Sequence, residues 1–548
     1  MLYTNPAPAD GGVFEEGADG GRFRPSTMKT KLYLVTAICA LAVLSGTPAN
    51  EKTKRLPLTA DEKTRIARTA WMREAKWGIA LHYMREFIDR KRTMTPQEWN
   101  KLVEEFDVDA LVEQVDATGA GLVLIGLSQC GGYFLAPNAT YDKIMSRDEK
   151  TTWFPKRDLI RDLGTALRKR KIALMVYFPI EPPVRGDPEA VRVFRPIGQR
   201  HPVDGHRISR DEGWRHFSGQ WEKVVRDFSE RWGDLASGWW FDGGWFGHLS
   251  YNDAPNWDSF LAAARTGNRH SAIAINHQYS HLRGLPPPRE DYFAGETGDA
   301  PGVIVTSPFR DKCVQNQVLT HLGDAWGKGE KPRYSRRQVA QVADNVVQGG
   351  GVLIWDVPFN LDGTLKTPFM GALKDFNAAA RNPYQNRKIL TPDKMIPKGN
   401  IAYRKRAALV SRRISKKGGH NQFNRVLPPN AHVHFAEGGV DGDMNTKAMA
   451  SNEWSWKYFV DLLTDESFSR IRIHFGKDHY PTHYIVRVRA EDGDWQTLKE
   501  DEGGKGGTVD IQFDQLKSRY IEIESIKPDG PNQKGYSMSI AELEVLGE

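Results

Sequence analysis

At 548 residues the chain is too long for one hydrophobic core and implies two or three domains. Its 39% apolar and 26% charged composition excludes disorder as the main state. The formal net charge of +7 is small for this length, and no basic block alternates with aromatics, so nucleic acid is not expected as a partner.

Residues 1–27 are rich in Gly, Pro and Asp without periodicity and read as a non-structural N-terminal extension, with translation starting at Met28. Residues 28–49 read as a signal peptide. Met28–Lys31 is a short basic stretch, Leu32–Leu44 an apolar run of export-signal length, and Thr47 and Ala49 are small residues suited to a cut. The run is short for a bilayer, so the expectation is a secreted or periplasmic protein with no stable membrane span after cleavage. Of 3 cysteines, Cys39 lies in the signal. Cys130 and Cys313 remain, and the sequence does not say whether they pair.

Helical and strand patterns then alternate over residues 55–385. Helices are predicted at 61–76, 96–117, 158–170, 213–232 and 256–266. A further helix opens at the capping-box pair Ser335 and Gln338 and ends at Gly349–Gly351. Strands are predicted at 76–83, 121–127, 172–178, 238–242, 271–276 and 352–356, with a short apolar one at 291–295. The continuous apolar run Leu122–Leu127 is typical of parallel strands covered on both faces. This alternation predicts an α/β fold, a TIM-like (β/α)₈ barrel. Residues 386–424 are basic and Gly-spotted and read as a connector. Over 425–548, alternating runs such as Arg470–Phe475, Tyr484–Arg489 and Tyr520–Glu524 predict an all-β antiparallel sandwich.

Barrel active sites sit at the C-terminal ends of the strands. Polar residues there are His82 and Tyr83, Gln129, Tyr177 and Glu181, Asp242, Asn276 and His277, Glu296, and Asp356. Asp242 stands out: an apolar strand delivers it between Trp240 and Trp245, followed by glycines that admit close approach. The 16 tryptophans suit sugar faces and core packing equally. Glycoside hydrolysis with retention needs two carboxyls roughly 5–5.5 Å apart. Asp242 is the candidate nucleophile and Glu296 the candidate acid/base, with Glu290 and Glu181 as rivals. His82, Tyr83, Gln129, Tyr177, Trp240, Trp245, Asn276, His277 and Trp355 are candidate substrate contacts. No cofactor is expected for catalysis, because the barrel carries no cluster with strong metal-ligand spacing, no Gly-x-Ser-x-Gly elbow and no phosphate loop.

These residues resemble the α-L-fucosidases of glycoside hydrolase family 29. Trp77–Tyr83 is similar to the family's first-strand segment, and Asp158–Tyr177 to its third helix–strand unit. Trp239–Gly243 is similar to the strand bearing its nucleophile, which falls on Asp242. Leu322–Gly327 is similar to its Trp-Gly segment, and Gly349–Pro358 with Asp362–Thr364 to its last strand and loop. The resemblance implies a retaining exo-glycosidase acting on terminal fucose or a related sugar of a glycan or polysaccharide. Three departures stand against it. Ser128–Phe134 replaces the Lys-His-His-Asp-Gly-Phe segment whose histidines hold fucose hydroxyls, Tyr83 replaces a Trp, and Asp356 stands where Asn is usual. The alternative is therefore a catalytically inactive carbohydrate-binding protein on a glycosidase scaffold. An inverting hydrolase is a third reading.

The C-terminal region resembles the discoidin or coagulation-factor 5/8 type C family of galactose-binding-like jelly rolls, through Asp441–Thr446, Val460–Leu462, Glu491–Trp495, Arg519–Ile521 and Ile540–Val545. That resemblance implies carbohydrate binding and a structural Ca²⁺ with oxygen ligands at Asp441, Asp443 and Glu542; a purely architectural turn is the other reading of these residues.

Overall fold

A computed structural model describes residues 57–547, except for 130, 182, 184–185, 245–247, 277–288, 299, 301–302, 304, 306, 310, 382–398, 404, 413–435, 451–454, 478 and 528–537. The signal segment, Cys130, Trp245 and His277 therefore lie outside the described residues; Cys313 is a free thiol. No helix among the described residues is long and apolar enough to cross a membrane.

Seven parallel strands form the first sheet: β1 Trp77–Leu81, β2 Leu122–Gly126, β3 Ala173–Pro179, β4 Ala236–Asp242, β5 Ala272–Asn276, β6 Gln317–His321 and β7 Val352–Asp356. Their spatial order is β5-β4-β3-β2-β1-β7-β6. The gap between β5 and β6 is filled by the extended segment 291–297. Asp291 N donates to Ile273 O on one side, while Phe293 N and Thr297 N donate to Gln315 O and Leu319 O on the other. This irregular eighth strand completes the TIM-like ring. It cannot run as a regular strand, because Gly295 has a φ of 61° and a Cβ there would lie 1.9 Å from Gln317 O.

Strand parity sorts the side chains into two layers, as period-two geometry requires. Ala80, Leu122, Leu124, Met175, Tyr177, Trp240, Ala274, Ala294, Leu319 and Ile354 fill the interior. Ile79, Tyr83, Val123, Val176, Trp239, Phe241, Ile273, Leu353 and Trp355 face the surrounding helices. Trp239 stacks on Phe241, centroids 5.5 Å apart, and meets Trp232 of the helix Arg210–Trp232 at 5.7 Å. Truncating such a buried ring to Ala costs about 3–5 kcal/mol.

The expected helices form with two breaks, and Ala139–Ile144, Pro188–Phe194 and Thr367–Arg381 join them unforeseen. The 61–76 helix divides at Thr69 into Ala60–Arg68 and Ala70–Ala75. The 96–117 helix divides into Pro96–Glu105 and Val108–Thr118, where Asp107 accepts from Ala110 N and caps the second piece. The Ser335–Gln338 capping box forms as expected and opens Arg336–Val342, which runs on into a π turn at 343–347.

The second sheet is antiparallel: β8 Arg406–Arg412, β9 Ala448–Ala450, β10 Ser455–Phe475, β11 His483–Arg489, β12 Gln496–Asp501, β13 Thr508–Lys527 and β14 Met538–Leu546. Its order is β12-β11-β13-β10-β14-β9, with β8 on β10. The long strands β10 and β13 pair along their length with register breaks after Asp461 and Phe468. The first half of β10 pairs β8 and its second half pairs β14, so a bulged strand serves both layers of a sandwich. Val460, Leu462, Ile471, Ile473, Val486, Val488, Ile521, Ile523, Leu543 and Val545 fill the core between them.

β8 corrects the expected connector: part of 386–424 belongs to the sandwich, because the short apolar run Ala407–Val410, bounded by arginines, forms a strand whose Ala407 is buried. The same strand holds the barrel. Buried Arg406 donates Nη2 to Val305 O at 2.6 Å and Asn345 O at 2.7 Å, and Nη1 to Asp461 Oδ2 at 2.9 Å. Asn345 Nδ2 returns a bond to Ala407 O at 2.8 Å.

Candidate active site

Parity decides which strand ends meet. With Ala80, Trp240, Ala274 and Ile354 pointing inward, the inward residues one pleat further on are His82, Asp242, Asn276 and Asp356. Asn276 bridges two acids, its Nδ2 donating to Asp242 Oδ1 at 3.0 Å and to Glu296 Oε2 at 2.7 Å. The sum of those distances caps the separation of the two carboxylate oxygens below about 6 Å. Tyr177 donates its hydroxyl to Asp242 Oδ2 at 2.5 Å, and Gly243 N donates to Oδ1 at 3.1 Å. Gln129 Oε1 lies 2.7 Å from the same Tyr177 oxygen. One phenol carries one proton, so only one of these contacts can be its donation. Beneath them Tyr177 stacks on Trp240, centroids 5.2 Å apart, and the Trp240 indole donates to Ala294 O at 3.1 Å.

Across the site, His82 Nδ1 and Asp356 Oδ1 are 2.6 Å apart. Asp356 is fully buried, and its second oxygen accepts from Gly327 N at 2.6 Å. The His82 ring lies among Phe87, Trp326 and Tyr177 at 4.8, 5.2 and 6.1 Å.

The electrostatics follow from this crowding. Burial pushes Glu296 up, the charge of Asp242 adds to it, and Asn276 and His82 only partly offset them, leaving its carboxyl at about 7. Burial also raises Asp242, against donation from Tyr177, Asn276 and Gly243 and the attraction of His82. Three donors favour charge on Asp242 and one does so on Glu296, so the first proton to leave the pair comes from Asp242. Burial works against a charged His82, but Asp356, Glu296 and Asp242 outweigh it and hold the imidazole above its ordinary value. Nearby His321 behaves oppositely. Burial, helped by Arg333, drops it to about 4, so it is a neutral ring whose Nδ1–H donates to Gly323 O at 2.8 Å.

The structure thus brings together Asp242, Glu296, His82, Gln129, Tyr177, Trp240 and Asn276. Tyr83 and Trp355 are placed elsewhere, and this corrects the sequence expectation. Each neighbours an inward residue and so points outward. Tyr83 packs on Trp99, Phe106 and Phe359 and donates to Leu361 O at 2.6 Å. Trp355 packs on Tyr334 and Phe376. Glu290 sits beside Asp291, at the strand end opposite Glu296, and the charge of Glu181 acts on Arg195. The sequence missed His321 and the role of Trp326. Asp356 was visible as a strand-end acid, but its pairing with His82 needs the β1–β7 register, which sets Ala80 opposite Asp356.

In the sandwich, Glu542 is buried, accepts from Gly442 N at 3.1 Å and lies 3.3 Å from Asn400 Nδ2. Burial first, then the charges of Asp441, Glu544 and Asp443, push it up to about 8 against the Gly442 bond. Asp441 accepts from the Thr446 hydroxyl at 2.8 Å and from Asp443 N at 3.0 Å. These three carboxyls offer oxygen donors alone, the donor chemistry of a hard cation, although their ligand atoms do not all lie within 4.8 Å of one another.

Comparisons with known proteins bear on both units. Residues 95–378 match the family model described as "Alpha-L-fucosidase". Residues 438–523 match an F5/8 type C model described as "NedA-like, galactose-binding domain". No curated protein matches the chain. Among solved structures, a Ruminococcus gnavus glycoside hydrolase family 29 fucosidase in complex with fucose is 14% identical, covering 90% of this chain and 96% of that one, TM-score 0.38. A chitosan-binding module 1 from a chitosanase/glucanase of Paenibacillus sp. IK-5 is 21% identical, covering 27% of this chain and 98% of that one, TM-score 0.22.

Proposed function

The chain belongs to the α-L-fucosidase family of glycoside hydrolases, and from that we propose a secreted or periplasmic retaining exo-glycosidase that removes terminal fucose or a related sugar from glycans or polysaccharides. The observation that carries this reading is the single amide of Asn276 donating to both Asp242 and Glu296. Its distances keep Asp242 Oδ1 and Glu296 Oε2 within about 6 Å of each other, which supports the close pair of a retaining enzyme, roughly 5–5.5 Å apart, over the roughly 6.5–9.5 Å that leaves room for an inverting water.

Asp242 Oδ attacks the anomeric carbon as the bond to the aglycone oxygen breaks. Glu296, still protonated near neutrality, gives its proton to that oxygen. Water, deprotonated by the ionised Glu296, then attacks the glycosyl–Asp242 ester and releases the sugar with Asp242 restored. Tyr177 and Gly243 N hold the Asp242 carboxylate between the two steps. Charged His82 is a donor for a sugar hydroxyl or ring oxygen.

The test is a panel of aryl glycosides beginning with the α-L-fucoside, comparing wild type with Asp242→Asn. Turnover by wild type and at least a 10³-fold loss in the variant is the expected result. Sugar binding without hydrolysis across the panel would favour the alternative of an inactive carbohydrate-binding protein. Replacement of the family's histidine pair by Ser128–Phe134 motivates that alternative, since each lost hydroxyl donor costs about 1–3 kcal/mol.

For the sandwich we propose carbohydrate binding and a structural Ca²⁺ held by Asp441, Asp443 and Glu542, which would neutralise the charge gathered around Glu542. Chelation is expected to lower the thermal midpoint of wild type and leave Glu542→Gln unchanged; equal responses would remove the cation from the account.

A further inference from the structure

Between β3 and the helix Arg210–Trp232, residues 198–208 fold back as a small hairpin on the strand-end side of the barrel. Gly198 N donates to Ile208 O, Ile208 N to Gln199 O and His201 N to His206 O, each at 2.8–2.9 Å. The turn Pro202–Gly205 closes it. Closure places His201 and His206 opposite each other, rings stacked with centroids 4.9 Å apart, and turns Asp204 back between them. Asp204 Oδ1 lies 3.2 Å from His201 Nδ1 and 2.6 Å from His206 Nδ1. One ligand atom from each residue falls within 4.8 Å of the others. The sequence carries no metal-ligand signature here, because the hairpin, not a helical or Cys-x-x-Cys spacing, assembles the group.

From this convergence of two imidazoles and one carboxylate on a braced hairpin, we propose that His201, Asp204 and His206 form a Zn²⁺ site separate from the sugar chemistry. The contacts of His206 supply the chemical reason. Its Nδ1 faces Asp204 and its Nε2 faces Glu212 Oε1 at 3.0 Å, and a carboxylate oxygen only accepts. An imidazolium donates to both through its two N–H groups, and a divalent ion on the Asp204 side takes the place of the proton on Nδ1. Both Nδ1 lone pairs and Asp204 then ligate, and the Nε2–H of His206 donates to Glu212. This is the carboxylate support that fixes a metal-bound histidine.

Glu212 is itself held. It is the third residue of the following helix and accepts from Ser209 N at 2.8 Å in a capping box. Zinc takes nitrogen at about 2.0–2.1 Å in a tetrahedron, which sets neighbouring ligands about 3.3 Å apart. Asp204 Oδ1 already stands 3.2 Å from His201 Nδ1 and must draw back by roughly 0.7 Å from its 2.6 Å contact with His206 Nδ1. The side chains are 40–60% exposed, so an ion reaches them and water completes the fourth position. Two histidines and one carboxylate favour a borderline metal over Mg²⁺ or Ca²⁺.

The experiment titrates ZnCl₂ by calorimetry into full-length protein expressed without a histidine tag and stripped of metal, near pH 7.5, with excess Ca²⁺ present to fill oxygen sites. One Zn²⁺ per chain with a micromolar Kd is expected. The double variant His201→Ala/His206→Ala should abolish that binding, and Glu212→Gln should weaken it about 10–100-fold. Circular dichroism should show all three folded, since the altered side chains are exposed. No Zn²⁺ uptake at 100 µM by wild type, or equal uptake by the double variant, would overturn the proposal. Neither result touches Asp242, so glycosidase activity stands or falls separately.

Discussion

Glu296→Gln should abolish turnover and yet stabilise the protein above neutral pH. The folded site holds this carboxyl at about 7, against an ordinary value of 4.5, through burial and the charge of Asp242. Between those values the unfolded chain has released the proton and the folded chain still carries it. Stability therefore falls as pH rises through the interval and stays low above it. At 1.36 kcal/mol per unit the loss is about 3 kcal/mol once the pH exceeds 7. Glutamine keeps the acceptor for Asn276 and carries no charge. Urea unfolding of wild type and variant should give equal free energies near pH 4, and a variant more stable by about 2–3 kcal/mol near pH 8. Parallel curves at both pH values would show that Glu296 is not crowded by burial and Asp242, and would refute the electrostatic reasoning behind its assignment as acid.

Asp356→Asn keeps a partner for His82 but removes its negative charge, so the imidazole should titrate lower by NMR. Because His82 is held above its ordinary value, the stability it contributes is present at low pH and lost as pH rises through the folded value. The variant's deficit should accordingly be larger at pH 5 than at pH 9. Tyr177→Phe deletes the hydroxyl that donates to Asp242, and a charge-assisted bond of about 1.5–3 kcal/mol predicts a 10–100-fold fall in kcat/KM on an aryl glycoside, with unfolding free energy lowered by no more than that amount. Arg406→Ala takes a donor from two barrel carbonyls, while Asp461 keeps the Arg519 guanidinium and Leu463 N. A loss of about 2–3 kcal/mol is expected, with calorimetry showing separate barrel and sandwich transitions in place of one.

Much of this was legible in the sequence because parallel strands buried on both faces read as apolar runs, and Leu122–Gly126, Ala173–Pro179 and Val352–Asp356 all do so. β6 was not, because its inward residues Gln317 and His321 are polar and break the run. The segment 291–297 read as a short strand, but its role in closing the ring depends on hydrogen bonds to residues on either side that are distant in sequence. Within the site, Asp242 and Glu296 could be found from their strand ends. Tyr83 and Trp355 were misplaced because adjacent residues on a strand point to opposite faces, and parity counted from His82 or Asp356 would have sent both outward. The expected connector hid a strand for a different reason. The run Ala407–Val410 is only four residues long and is bounded by arginines, and Arg406 is basic yet buried because its guanidinium has both Asp461 and barrel carbonyls to bond.

The claim on which the rest depends is that Asp242 forms a covalent bond to the sugar. A 2-deoxy-2-fluoro fucosyl reagent with an activated leaving group slows hydrolysis of such an ester enough for peptide mass spectrometry to locate it. The account predicts one fluorosugar per chain, on the peptide containing Asp242, and none in Asp242→Asn. Label on another residue, or wild-type turnover that leaves no label and gives the inverted anomer first, would contradict it.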